Sequence, residues 1–158
     1  MIQNTNLRLK NKVAIVVGGG QRIGETIGNG RAVSMTYAKQ GAKVVVVDNN
    51  LDAAQETVHK IKENGGIGFA YQADVVVETE IEALIKYVRL NFGQIDILHN
   101  NVGISIAGGD AEVTEIKSHN FDQIIALNLK SMIFSCKYVL PIMREQKFGN
   151  IINISSTA

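Results

Sequence analysis

The chain has 158 residues, 46% apolar and 20% charged, with a single proline; this is the size and composition of one globular domain and excludes disordered and collagen-like classes. A chain of about 150 residues buries roughly 70% of its unfolded surface, enough for one core. Sixteen basic and fifteen acidic residues give a net charge of +1 with no long run of either sign, so no nucleic-acid partner is expected.

In chain order, short β-branched runs alternate with segments of helical period. Residues 12–17 read as a first strand, and a glycine cluster follows. The next helix carries Ala32, Met35, Tyr37 and Ala38 as its apolar stripe. Lys43–Asp48 is the second strand. A helix from Leu51 then places Leu51, Ala54, Val58 and Ile61 on one face, with Asn50 as N-cap and Gly65 as stop. Residues 67–74 form the third strand, and Glu78–Phe92 a helix with Ile81, Leu84, Ile85 and Val88 in register, ended by Gly93. Residues 95–101 are the fourth strand. A long apolar helix spans about 120–145, where Pro141 is expected to kink or end it by removing a donor and clashing one turn back, and residues 150–155 are the fifth strand. Continuous valine and isoleucine runs between helices imply a parallel sheet covered on both faces, a doubly wound α/β domain occupying residues 1–158.

Cys136, the only cysteine, lies in an apolar stretch and reads as a small buried hydrophobe in a reducing compartment. The first twelve residues lack a signal-peptide core and no run approaches the ~18 apolar residues of a membrane span, so a cytoplasmic protein without membrane contact is expected. No metal site is expected.

The glycine cluster, "GGGQRIGETIGNGRA" from Gly18 to Ala32, holds six glycines in fifteen residues. A glycine-rich turn between strand and helix lets backbone amides approach a pyrophosphate at the positive end of the helix. In a short register Gly18, Gly20 and Gly24 make the turn and the helix starts near Glu25, which leaves Gly28 and Gly30 inside it at about 1 kcal/mol each. In a long register the helix starts near Asn29 to Arg31 and Gly28 and Gly30 close the loop, with Gln21 on its near side. The long register is expected. Asp48 ends the second strand eighteen residues beyond Gly30, near the ~20 expected for a carboxylate that accepts from an adenosine ribose, with Asn49 beside it. A carboxylate there repels a 2′-phosphate, so the reading is NAD. NADP stays open because Arg22 has three available roles: on a 2′-phosphate, on the pyrophosphate, or in solvent.

These motifs resemble the short-chain dehydrogenase/reductase family along essentially the whole chain. Val17 stands where the family has threonine, Gly18 begins its turn, and "GNGRA" looks like its closing glycines, with about six residues inserted before them. "ADV" (Ala73 to Val75) resembles the adenine-contacting motif, with Asp74 on the ring amine and Val75 beside it. "NNVG" resembles the segment after the fourth strand, giving Asn100, Val102 and Gly103 cofactor-site roles. "LNLKS" places Asn128 at the helix asparagine, and "GNIINISS" places Ser156 at the catalytic serine.

The resemblance implies a Rossmann-like fold and hydride transfer between nicotinamide and an alcohol or ketone. Ser156 would orient the substrate oxygen, Asn128 would hold a relay water, and a Tyr-x-x-x-Lys pair would move the proton. None of Tyr37, Tyr71, Tyr87 and Tyr138 has lysine four residues later, so that pair is absent from the 158 residues. The domain therefore reads as truncated after its fifth strand, without the family's C-terminal strands, and as inactive by itself. A noncatalytic dinucleotide-binding or regulatory module is the alternative. The fifth strand would be an apolar edge carrying Ile151, Ile152 and Ile154, from which a homo-oligomer is expected.

Overall fold

A strand packed on both faces must be apolar throughout, and the valine and isoleucine runs meet that condition. The computed structural model describes residues 7–21, 24 and 26–155. It forms five strands, β1 (Val13–Val17), β2 (Lys43–Asp48), β3 (Ile67–Gln72), β4 (Ile97–Asn100) and β5 (Asn150–Asn153). They pair in parallel in the order β3-β2-β1-β4-β5. Helices α1 (Asn29–Lys39), α2 (Leu51–Glu63), α3 (Glu78–Phe92), α4 (Ser118–Ile125) and α5 (Ser131–Gln146) make the crossovers. The expected Rossmann-like sheet is the fold. Its strands stop where a neighbour stops: β3 ends at Gln72 opposite Asp48, and β5 ends at Asn153 opposite Asn100.

Alternate strand residues feed two cores. Ile15, Val17, Val45 and Val47 meet Ile81, Leu84, Ile85 and Val88 of α3 and Val139 and Met143 of α5. Ala14, Val16, Val44 and Val46 meet Ala38 of α1 and Ala54, Val58 and Ile61 of α2. The stripe read for α3 is the buried one, all four residues. Asn50 caps α2 by accepting from the Ala53 amide at 3.2 Å, and Gly93 ends α3 with φ of 76°.

Helix α1 departs from its expected stripe. It buries Gly30, Arg31, Ser34 and Ala38, while Ala32, Met35 and Tyr37 are half-buried. Arg31 is tolerated inside because its guanidinium is satisfied. Nη1 and Nη2 donate to the two carboxylate oxygens of Glu56 at 3.0 and 2.7 Å, and Nε donates to Thr57 Oγ1 at 3.0 Å. This bidentate pair bolts α1 to α2.

The long helix also differs from expectation. It begins at Ser118, passes through a π-helical turn at Ala126–Lys130, and does not end at Pro141 but runs to Gln146. Pro141 and Lys137, whose carbonyl loses its donor, both lie on the exposed side, where water can satisfy that carbonyl. The continuous Ser118–Gln146 helix is long and apolar enough to cross a membrane by length and composition alone, which the run-by-run sequence reading missed. Its buried side, Ser131, Ser135, Val139 and Met143, packs inside this domain. Cys136 on the same helix is half-buried rather than buried, and its burial pushes the thiol up.

Candidate functional site

In an open parallel sheet a crevice forms beyond the carboxyl ends of the strands, where neighbouring strands send their crossovers to opposite faces. Here that point lies between β1 and β4, and a cleft of about 650 Å³ opens there. That volume falls in the range of small-molecule and cofactor sites.

The first wall is the glycine turn. Gly18 has φ of 73°, a region that favours glycine, and the Gly18 and Gly19 amides donate to Val47 O at 2.8 and 3.0 Å. A Cβ on Gly20 would stand 2.6 Å from Asp48 Oδ2, so any side chain there would push that carboxylate out of place. The Gly20 amide donates to Asp48 Oδ2 at 3.1 Å, and the Asn50 amide donates to Oδ1 at 3.0 Å. Two backbone amides thus hold Asp48 at the mouth of the cleft.

The chain re-enters at Gly28, the N-cap of α1, and Gly30 presses directly on the turn: a Cβ there would lie 1.8 Å from Gly18 O. Asn101 Nδ2 donates to the same oxygen at 3.3 Å. The long register is therefore the observed one, with α1 starting at Asn29 and Gly24 exposed outside the turn. No acidic side chain sits in the first turn of α1, so its positive end is not neutralised locally.

Of the residues expected at the site, Gly18, Gly20, Gln21, Asp48, Asn49, Asp74, Val75, Val102 and Gly103 line the cleft. Gly28, Asn29 and Gly30 stand behind it as the start of α1. Asn100 also stands back: it is buried, and its Nδ2 donates to Asn153 Oδ1 at 2.8 Å, tying β4 to β5. Asp74 turns its Oδ1 to the Val76 amide at 3.1 Å, at the entry to α3. Asn128 sits in the π-helical turn and uses both ends of its amide on one residue, accepting from Ile104 N at 2.9 Å and donating to Ile104 O at 2.7 Å. It anchors the loop that walls the cleft. Ser156 and Arg22 lie outside the described residues.

Sequence reasoning missed Asn101, Ile104 and Leu127, which also line the cleft. Strand parity held a signal for the first: Asn100 shares its side of β4 with Leu98 in the core, so the next residue is the one free to turn into the cleft. Among the described lining residues none is lysine or arginine, and both acids are aspartates. An anion here would be held by backbone amides rather than by side-chain charge. Burial pushes Tyr37, Tyr71 and Tyr138 up, away from the range of a base, and Glu78 adds to the rise at Tyr138.

A family model described as short chain dehydrogenase matches residues 12–158. The chain belongs to the short-chain dehydrogenase family. The 7α-hydroxysteroid dehydrogenase of Escherichia coli (strain K12) is 36% identical over 158 residues, all of this chain and 58% of that protein. A solved structure of 7α-hydroxysteroid dehydrogenase complexed with NADH and 7-oxo glycochenodeoxycholic acid superposes with a TM-score of 0.85 at 35% identity, covering 99% of this chain and 57% of that one. A metagenomic short-chain oxidoreductase in complex with NADP gives a TM-score of 0.86 at 29% identity, covering 95% of this chain and 64% of the other. This short-chain dehydrogenase chain thus spans little more than half the length of the curated relatives it matches.

Proposed function

We propose that the chain is the dinucleotide-binding portion of an NAD-dependent short-chain oxidoreductase whose substrate pair is an alcohol and a ketone. The observation that carries the reading is Asp48, fixed by the Gly20 and Asn50 amides at the mouth of a cleft behind which α1 starts. The first amides of α1, which a helix leaves without intrahelical acceptors, would hold the pyrophosphate at its positive end, and the close glycine packing of the turn leaves the backbone bare enough for that approach. Asp48 would accept from the ribose hydroxyls and repel a 2′-phosphate, and no described cationic side chain in the cleft offsets that repulsion. Asp74 would take the adenine amine. The NADH-bound relative supports this cofactor class, and the NADP-bound one leaves the preference to Asp48.

When bound, the nicotinamide would supply or accept a hydride. Asn128 would keep the Ile104 loop against the site, and Ser156 would orient the substrate oxygen. With no Tyr-x-x-x-Lys among its 158 residues the polypeptide would bind cofactor without turning over substrate. The hydroxysteroid dehydrogenase relative supports the alcohol and ketone class. We further propose that the protein is cytoplasmic and self-associates through β5, which lies at the edge of the described sheet with Ile151 and Ile152 half-buried and Ile154 exposed.

Separate fluorescence titrations with NADH and NADPH test the reading: tighter NADH binding is expected, and tighter NADPH binding would refute the role of Asp48. Turnover of an alcohol by this polypeptide, with any longer enzyme excluded by mass spectrometry, would refute the reading that it binds cofactor without turnover.

A further inference from the structure

Whatever chain joins Gln21 to Gly28 must rejoin the phosphate turn without displacing α1. The return tolerates little error, since Gly30 already sits against Gly18 O with no room for a methyl group. One side chain spans the neck of this excursion. Gln21 Oε1 accepts from the Gly28 amide at 3.1 Å, and Gln21 Nε2 donates to Thr26 O at 3.1 Å. Gly28 is the N-cap of α1 and, as glycine, has no side chain with which to cap, so its position is set through the backbone. Gln21 itself is part of the cleft wall.

We propose that Gln21 is a positioning residue: its carboxamide closes the neck of the 22–27 excursion, so that Gly28 and the start of α1 stand behind the cleft as though the loop were short. The inference rests on the dinucleotide reading above, and assigns Gln21 an action through Gly28 rather than through contact with the cofactor. The side chain must be glutamine for two reasons. It needs an acceptor and a donor on one planar group to serve an amide and a carbonyl at once, and it needs the second methylene for reach. Glutamate would keep the acceptor for Gly28, lose the donor for Thr26, and bring a negative charge to an anion site. Methionine keeps the length and loses both bonds.

The test compares four proteins: the unmodified chain, Gln21→Met, a chain lacking residues 22–27, and the two changes combined. Read by NADH titration, Gln21→Met is expected to weaken binding roughly tenfold in the full loop and less than about twofold in the shortened loop, which has no neck to close. Equal weakening in both loops would show direct contact with the cofactor and overturn the proposal, as would no weakening in either. Exchange of the Gly28 amide, followed by NMR without ligand, judges the clip independently. Gln21→Met should speed that exchange about tenfold, and an unchanged rate overturns the proposal even where the shortened chain fails to fold. If the unmodified chain does not bind NADH, the dinucleotide reading fails while the exchange result still decides the role of Gln21.

Discussion

Gly30→Ala isolates the contact on which the phosphate turn depends. Gly30 lies in the first turn of α1 with no positive φ, and an unhindered glycine-to-alanine change at such a position stabilises by about 0.4–1 kcal/mol. The structure reverses that sign. The new Cβ would stand 1.8 Å from Gly18 O, 2.8 Å from Gly18 C and 2.9 Å from Asn101 Nδ2, while ordinary contact begins at 3.4 Å. Backbone must therefore separate by about 1.6 Å at a point where neither partner is a flexible side-chain end. Overpacking of this kind costs typically 1–3 kcal/mol, which after the entropic gain leaves a net loss of about 1–2 kcal/mol and a fall in Tm of roughly 2–8 °C. Urea denaturation followed by circular dichroism measures it. Gly28→Ala is the companion, because its Cβ would meet nothing nearer than Gln21 Cγ at 4.0 Å, and it should stay within about 1 kcal/mol of the unmodified chain. A Gly30→Ala chain as stable as the original would refute the reasoning.

Other outcomes follow from buried polar groups. His99 is buried on β4, its Nδ1 meets the Tyr37 hydroxyl at 3.1 Å, and its Nε2 has no partner among the described residues; burial lowers its pKa. The unfolded chain then takes up a proton near the ordinary pKa of about 6.5 that the native state refuses, so stability should be full above that pH and fall as pH drops through it. Urea midpoints at pH 7.5 and 5.5 should differ more for the unmodified chain than for His99→Phe, and an equal difference would count against it. Arg31→Met should return the Glu56 carboxyl, now held low chiefly by its hydrogen bond from Arg31, toward the ordinary carboxylate range, read by NMR titration. Asn128→Ala strands the amide and carbonyl of Ile104 and should destabilise by about 1–3 kcal/mol, measured by denaturant unfolding.

The sheet was legible because a buried parallel strand announces itself as an unbroken apolar run, and α3 because four apolar residues repeat at helical spacing. The register of the glycine loop was legible through the unfavourable free energy of interior glycines. The buried face of α1 was not: periodicity counts apolar residues, and this helix buries a guanidinium whose partner, Glu56, lies twenty-five residues on. Pro141 misled because the rule against proline weighs a lost hydrogen bond without knowing which side faces water. At the site, the glycine turn and Asp48 were readable from fixed offsets and Asp74, Val75, Val102 and Gly103 from the family resemblance, whereas Asn101 and Ile104 depended on which side of a strand end the chain turns toward.

The π-helical turn at Ala126–Lys130 carries one residue more than an α-helical path would need. Each residue of an α-helix advances the facing direction by about 100°, so the extra one acts as a phase shifter between α4 and α5. It lets the downstream half keep Val139 and Met143 in the core while the upstream half points elsewhere, and it sets Asn128 toward Ile104. Removing a single residue from this turn would give a smoother rod and swing α4 by nearly a third of a revolution. The helix is in this sense two instruments tuned separately, and substitutions that rotate one half need not be matched in the other.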